Sequence, residues 1–186
     1  MTKIEGKLAQ LAQIIDGQVI TNQTRVEVCV KGIVSGFPIT LEATKASYPF
    51  GVNYFLETGS FTNRSSAHES FKLTIMPRYM HGWASLISRI LLFENRGQKL
   101  DLPELEGALR FQYDNAPLAK KFAHYPGVAA KILELEKISH FNEMLVNSTE
   151  GIYLSQPTAF LVLDLQLCQE VFTIMAQLGQ VLFEAF

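Results

Sequence analysis

Apolar and polar positions recur with two periods along this chain, and each switch of period marks a new element. The strongest pattern is the last, from Asp164 to Phe186. Plotted at about 100° per residue, it leaves one narrow polar stripe: Gln166, Glu170, Thr173, Gln177, Gln180 and Glu184. Gln169 sits at its edge, and most of the remaining surface is apolar. A helix of this kind needs a broad apolar surface to lie on. Asp164 would fall on the apolar side inside the helix, so it reads as the N-cap, its carboxylate accepting backbone N–H groups.

The earlier chain supplies that surface. Residues 2–15 predict a helix with Thr2 and Glu5 as a capping box, Ile4, Leu8, Leu11, Ile14 and Ile15 as its apolar face, and Gly17 as its stop. After a polar connection from Gly17 to Thr24 the period drops to two. Val26, Val28 and Val30 oppose Glu27, Cys29 and Lys31. Beyond a turn at Ser35-Gly36, Ile39, Leu41 and Ala43 oppose Thr40, Glu42 and Thr44. The run from Ser47 to Gly51 turns the chain again, and Val52, Tyr54 and Leu56 then oppose Asn53, Phe55 and Glu57. A polar loop from Gly59 to His68 leads to a strand at Ser70 to Met76, with Phe71, Leu73 and Ile75 inward. One dry face and one wet face are the mark of an antiparallel meander.

Pro77 is placed to open a helix bearing Met80, Trp83, Ile87, Ile90 and Leu91, which ends at Asn95-Arg96-Gly97. From Leu102 to Tyr113 two readings stay open, a short helix from Pro103 to Glu106 and a short strand through Leu109, Phe111 and Tyr113. Asn115 reads as the N-cap of a helix reaching Phe122, and Tyr125-Pro126-Gly127 as a break. Val128 to Ile138 predicts a further helix. His140 to Val146 and Gly151 to Ser155 predict a hairpin about Asn147-Ser148-Thr149-Glu150, and Gln156 to Leu163 an apolar connection. The expected fold is α+β: one domain spanning residues 1–186, with a mainly antiparallel sheet (an N-terminal meander of about four strands plus a C-terminal hairpin) covered by helices, the longest at the C-terminus. In element order alone the chain resembles type III secretion chaperone-like folds. No motif carries that likeness, the section from Leu102 to Ile138 departs from it, and no residue role follows.

Composition narrows the function. Across 186 residues the charged fraction is 18% and the net charge −2, a balance that points to neither nucleic acid nor an anionic membrane. The charge is unevenly placed. Every Lys and Arg lies in the first 137 residues, which carry +3, whereas Glu143, Glu150, Asp164, Glu170 and Glu184 leave the last 49 at −5. One reading is chance around a largely buried helix, and the other is an acidic strip offered to a basic partner. The N-terminus lacks the apolar core of a signal peptide, and no window is long and apolar enough to span a membrane. A cytoplasmic protein is expected, with Cys29 and Cys168 as buried free thiols and a disulfide between them as the alternative.

The residues that carry chemistry are scattered. His68, His81, His124 and His140 form no HExxH or Cys/His spacing, so no metal is expected. Val34-Ser35-Gly36-Phe37 and Thr58-Gly59-Ser60-Phe61 are turns rather than nucleophile elbows. Glu104/Glu106 and Glu134/Glu136 point apart on a helix, and the glycines form no phosphate-binding loop, so no cofactor is expected. An enzyme would have to gather Glu57, Ser60, His68 and His124 from separate loops. The unusual feature is aromatic: Tyr48, Phe50, Tyr54, Phe55 and Phe61 lie close along the chain. They read either as hairpin packing or as an exposed patch for a partner or apolar ligand. The favoured expectation is a non-enzymatic binding module, pairing with another protein or with itself, through Tyr48, Phe50, Phe55 and Phe61 or through Gln166, Gln177 and Gln180. The alternative is a domain holding an apolar small molecule between the sheet and the closing helix.

Overall fold

The computed structural model describes residues 3–21, 27–44, 50–58, 70–78, 97–158 and 164–186. Its elements in order are α1 (Lys3–Ile14), β1 (Gln18–Thr21), β2 (Glu27–Val34), β3 (Phe37–Thr44), β4 (Phe50–Glu57), β5 (Lys72–Pro77), α2 (Pro103–Ala108), β6 (Leu109–Tyr113), α3 (Ala116–Ala123), α4 (Val128–Ser139), β7 (Glu143–Asn147), β8 (Gly151–Thr158) and α5 (Leu165–Ala185). All eight strands join in one antiparallel sheet, in the order β1-β2-β3-β4-β8-β7-β5-β6. The α+β class, the antiparallel sheet and the long C-terminal helix are therefore present as expected.

The period-two pattern becomes a continuous apolar floor. Val30, Leu41, Tyr54, Leu154, Met144, Ile75 and Phe111 stand in register across seven strands, all fully buried. A second row is made by Ile39, Leu56, Ile152, Val146 and Leu73. The meander consists of β1 to β4. The strand at Leu73 and Ile75 is not its neighbour, because the β7–β8 hairpin inserts between β4 and β5. Alternation chooses which face is dry, but it cannot choose which strand lies alongside which.

Helix α5 covers this floor with Cys168, Val171, Phe172, Ile174, Met175, Leu178, Val181 and Leu182, all buried. The Phe172 ring stands edge-on to Tyr54, centroids 5.4 Å apart. At Gly179 helix and sheet are in such close contact that an added Cβ would lie 2.8 Å from Leu56 Cδ2. Asp164 caps the helix, its Oδ1 accepting from the backbone N–H groups of Gln166 (3.0 Å) and Leu167 (3.2 Å). At the far end Phe186 packs on Phe71 and Phe122, centroids 5.1 and 6.5 Å away. Lys121 Nζ lies 4.6 Å above the Phe186 ring and donates to the Ala185 carbonyl at 2.8 Å, where the helix dipole favours a cation. Asn115 caps α3 by accepting from Leu118 N–H.

Several expectations are corrected. Gln18 to Thr21, read as connection, is the edge strand β1, since pairing with β2 gives its backbone groups partners. The open choice over Leu102 to Tyr113 resolves as both readings in sequence, α2 then β6. Pro77 closes β5 opposite Leu109 instead of opening a helix. Residues 79–96, where the Trp83 helix is expected, lie outside the described residues, as does Thr2. The connection expected from Gln156 is still strand to Thr158. Pairing with β7 stops at Ser155, whose carbonyl accepts from Asn142 N–H. Two residues on, Pro157 turns its missing N–H to that same open side, where it costs no ladder bond. His140 does not begin a strand but ends α4 in the left-handed region (φ 46°). Ile14 lies outside the core. At the β2–β3 turn Ser35 and Gly36 both have positive φ (51° and 85°), the two-residue hairpin geometry that matches strand twist.

Leu178→Ala or Met175→Ala is expected to lower unfolding free energy by ~2–5 kcal/mol, a buried-side-chain loss plus the cavity left. Gly179→Val is expected to lower it by ~1–3 kcal/mol through overpacking against Leu56. Urea titration of the three variants measures both effects.

Candidate functional site

The polar stripe of α5 keeps its predicted place: Gln166, Gln169, Glu170, Thr173, Gln177, Gln180 and Glu184 are all exposed. Much of it lines an open groove against α4, with Glu134 on the opposite wall and Ile174 at the base. The groove encloses about 480 Å³. Its floor is set by the packing of α4 on α5, which buries Val128, Ile132 and Leu135 on one side and the apolar arc of α5 on the other.

Most groove side chains are held in place. Gln166 Nε2 donates to Glu170 Oε1 at 2.9 Å, one helical turn on. Thr173 Oγ1 donates to the Gln169 carbonyl at 2.8 Å. Lys131 Nζ reaches from α4 to Gln177 Oε1 at 2.8 Å and so bridges the groove at one end. Gln180 lies beyond the groove, where its Nε2 donates to Glu184 Oε1 at 2.8 Å and Tyr125 OH approaches Glu184 Oε2 at 3.4 Å. Glu134 and Glu170 are thus two carboxylates facing one groove, with no salt bridge to either among the described residues.

The aromatic half of the predicted surface sits elsewhere. Tyr48 and Phe61 lie outside the described residues, and of Phe50 only the backbone, at the start of β4, is described. Phe55 is half-buried on the sheet face opposite α5, in register with Thr40 and Tyr153, and Tyr153 with Leu145. The sheet and core therefore separate Phe55 from Gln166, Gln177 and Gln180. Sequence reading missed Glu134, because its position across from the stripe depends on how α4 packs and on nothing near it in the chain.

The groups considered for catalysis remain apart where they are described. Glu57 ends β4 and His124 ends α3, its Nδ1 2.9 Å from the Lys120 carbonyl. Ser60, His68 and His81 lie outside the described residues. Among the described residues no three His, Cys, Asp or Glu side chains gather as a metal site, and no described helix is long and apolar enough to cross a membrane. Comparison with protein-family models, curated proteins and solved structures gives no match.

Both cysteines are free thiols. Cys168 is buried as expected, whereas Cys29 is only half-buried, because it faces the outer side of the sheet beside Glu42. Under α5, Tyr54 OH donates to Gln156 Oε1 at 2.9 Å and lies 3.6 Å from Cys168 Sγ. Between the phenol oxygen and the thiol either atom can act as donor. Burial pushes the Cys168 thiol up to about 11 and raises the Tyr54 phenol well above its ordinary range. Neither is a nucleophile at neutral pH.

Because ionisation of Cys168 is easier in the unfolded chain, its contribution to stability is complete below the unfolded thiol value, about 8.5. That contribution is lost as pH rises toward about 11. Urea midpoints measured from pH 8 to 11 are expected to fall more steeply for the wild type than for Cys168→Ala. Gln177→Lys is expected to leave the fold intact, with thermal unfolding showing a change within ~0.5 kcal/mol, as at other exposed positions.

Proposed function

We propose that this chain is a non-enzymatic binding module that docks a basic segment of a partner protein in the α4–α5 groove. The observation that carries the reading is the lining itself. Most of the apolar arc of α5 is used by the fold, and what remains exposed in the groove is a row of amides and one hydroxyl, with Glu134 on one wall and Glu170 on the other. Folding does not require such a row, since Lys or Glu would solvate the helix better. Amides are less strongly hydrated and suit a surface that is covered part of the time. The two carboxylates, in a C-terminal region of net charge −5, give the groove a preference for cations and speed encounter with them. A backbone or side-chain donor laid along the groove finds acceptors in Gln169 and Glu170.

An apolar ligand between sheet and helix is the weaker reading. Along the central part of α5 that space is occupied by the Tyr54–Phe172 contact and by the close approach of Gly179 to Leu56.

Titration with a short lysine-rich peptide, followed by amide NMR, is expected to shift Glu134, Gln166, Gln169, Glu170, Thr173 and Gln177. A glutamate-rich peptide of the same length should leave them unmoved. The shifts should vanish in Glu134→Lys/Glu170→Lys and weaken as salt shortens the range of the attraction. Shifts spread over the whole surface, or equal for both peptides, would remove the reading.

A further inference from the structure

The two edges of the sheet are treated differently. Strand β6 is covered: Gln98 N–H donates to the Phe111 carbonyl at 2.9 Å, the Gln98 side chain accepts from Tyr113 N–H, and Tyr113 OH donates to the Lys99 carbonyl at 2.9 Å. The segment 97–99 thus closes that edge. At the other edge nothing among the described residues pairs with the outer side of β1. Of the four large hydrophobic side chains exposed among the described residues, three are Ile20 on β1 (37% exposed), Ile33 on β2 (54%) and Ile14 in the last turn of α1 (47%). Helix α1 packs on β1 and β2. An unpaired edge that carries an exposed isoleucine, Ile20, is a template for another strand.

The direction of the free backbone groups follows from two independent facts. The two-residue turn at Ser35-Gly36 makes Val34 and Phe37 the closing, hydrogen-bonded pair, so Val34, Gly32 and Val30 bond toward β3. Ile33 N–H instead donates to the Ile15 carbonyl at 2.8 Å, on the β1 side. Lys31 and Cys29 share that direction, and their register partners Gln18 and Ile20 bond back to them. Val19 and Thr21 therefore turn their N–H and C=O groups outward.

We infer that β1 is a self-association edge, on which β1 of a second copy of this chain pairs antiparallel about a two-fold axis at Ile20. With the axis there, Val19 faces Thr21 of the second copy and each such pair exchanges two backbone hydrogen bonds, so the two pairs satisfy every outward group of these residues. Ile20 then meets its own counterpart in the non-hydrogen-bonded position, where cross-strand side chains approach most closely. A second copy fits because the surface is isologous: the same residues supply donors and acceptors to each other. Four residues make a short edge, so the dimer is weak and depends on concentration. This inference is independent of the α4–α5 groove, which lies on the exterior of a different layer.

Sedimentation equilibrium over a wide concentration range is the test. The wild type is expected to show a monomer–dimer equilibrium, weakened at least tenfold by Ile20→Lys, which sets two ammonium groups against each other across the axis. Circular dichroism checks that this variant is folded. In a Cys29→Ser background, which removes the neighbour of residue 20 on β2, Ile20→Cys is expected to give a covalent dimer on mild oxidation, while Cys168 stays buried. This second variant decides the matter if Ile20→Lys does not fold. A wild type that is monomeric throughout, a dimer unchanged by Ile20→Lys, or failure of the Ile20→Cys variant to cross-link would each overturn the inference, the second pointing to a different contact face.

Discussion

Everything else in this molecule depends on the burial of one helix against one sheet. Helix α5 has too little polar surface to stand in water, and the inner face of the sheet is a floor of Val, Leu, Ile, Phe, Met and one Tyr. Each covers the other's apolar area, at roughly 25 cal/mol per Å² removed from water. The helix is then pinned at both ends by quite different means. At its start a single carboxylate satisfies two backbone N–H groups that have no partner inside the helix. At its end three phenylalanine rings and one lysine hold the last turn against α3.

That arrangement sorts the remaining surface. Once the apolar arc of α5 faces inward, the amide stripe must face out, and the neighbouring α4 turns part of it into a groove with a second wall. A polar line of atoms also runs beneath the helix, from Cys168 through Tyr54 to Gln156. It sits between layers that are otherwise apolar, and each of its members has a partner, which keeps it from being a site of strain. The outer face of the sheet is less uniform. Phe55, Tyr153 and Leu145 give its centre a half-buried apolar row, while Lys31 and Gln112 at the flanks are exposed.

The sheet order explains why the chain could be read locally and not globally. Closing β4 against β8 and β7 against β5 joins segments about 100 and 70 residues apart, at a loop-closure cost that rises only slowly with length. Nothing in Ser70–Met76 distinguishes a neighbour of β4 from a neighbour of β7, since either gives Leu73 and Ile75 the same dry face. The insertion of the hairpin is decided by which pairing lets a single floor form without a gap.

What the chain determined alone was local: the dry face of β2 to β5, the outward direction of Gln166, Glu170, Thr173, Gln177 and Gln180, and the caps at Asn115 and Asp164. These follow from period and from short-range hydrogen bonding, both of which are written in neighbouring residues. Only the tertiary structure decided that Glu134 would line the same groove as Glu170, and that Phe55 would lie on the far side of the core from the stripe. The same holds for Gln18 to Thr21, which became an edge strand, and for Cys29, which was left half-exposed while Cys168 was sealed in. Each of these outcomes depends on which layer meets which, a contest among long-range packings that no stretch of a few residues can encode.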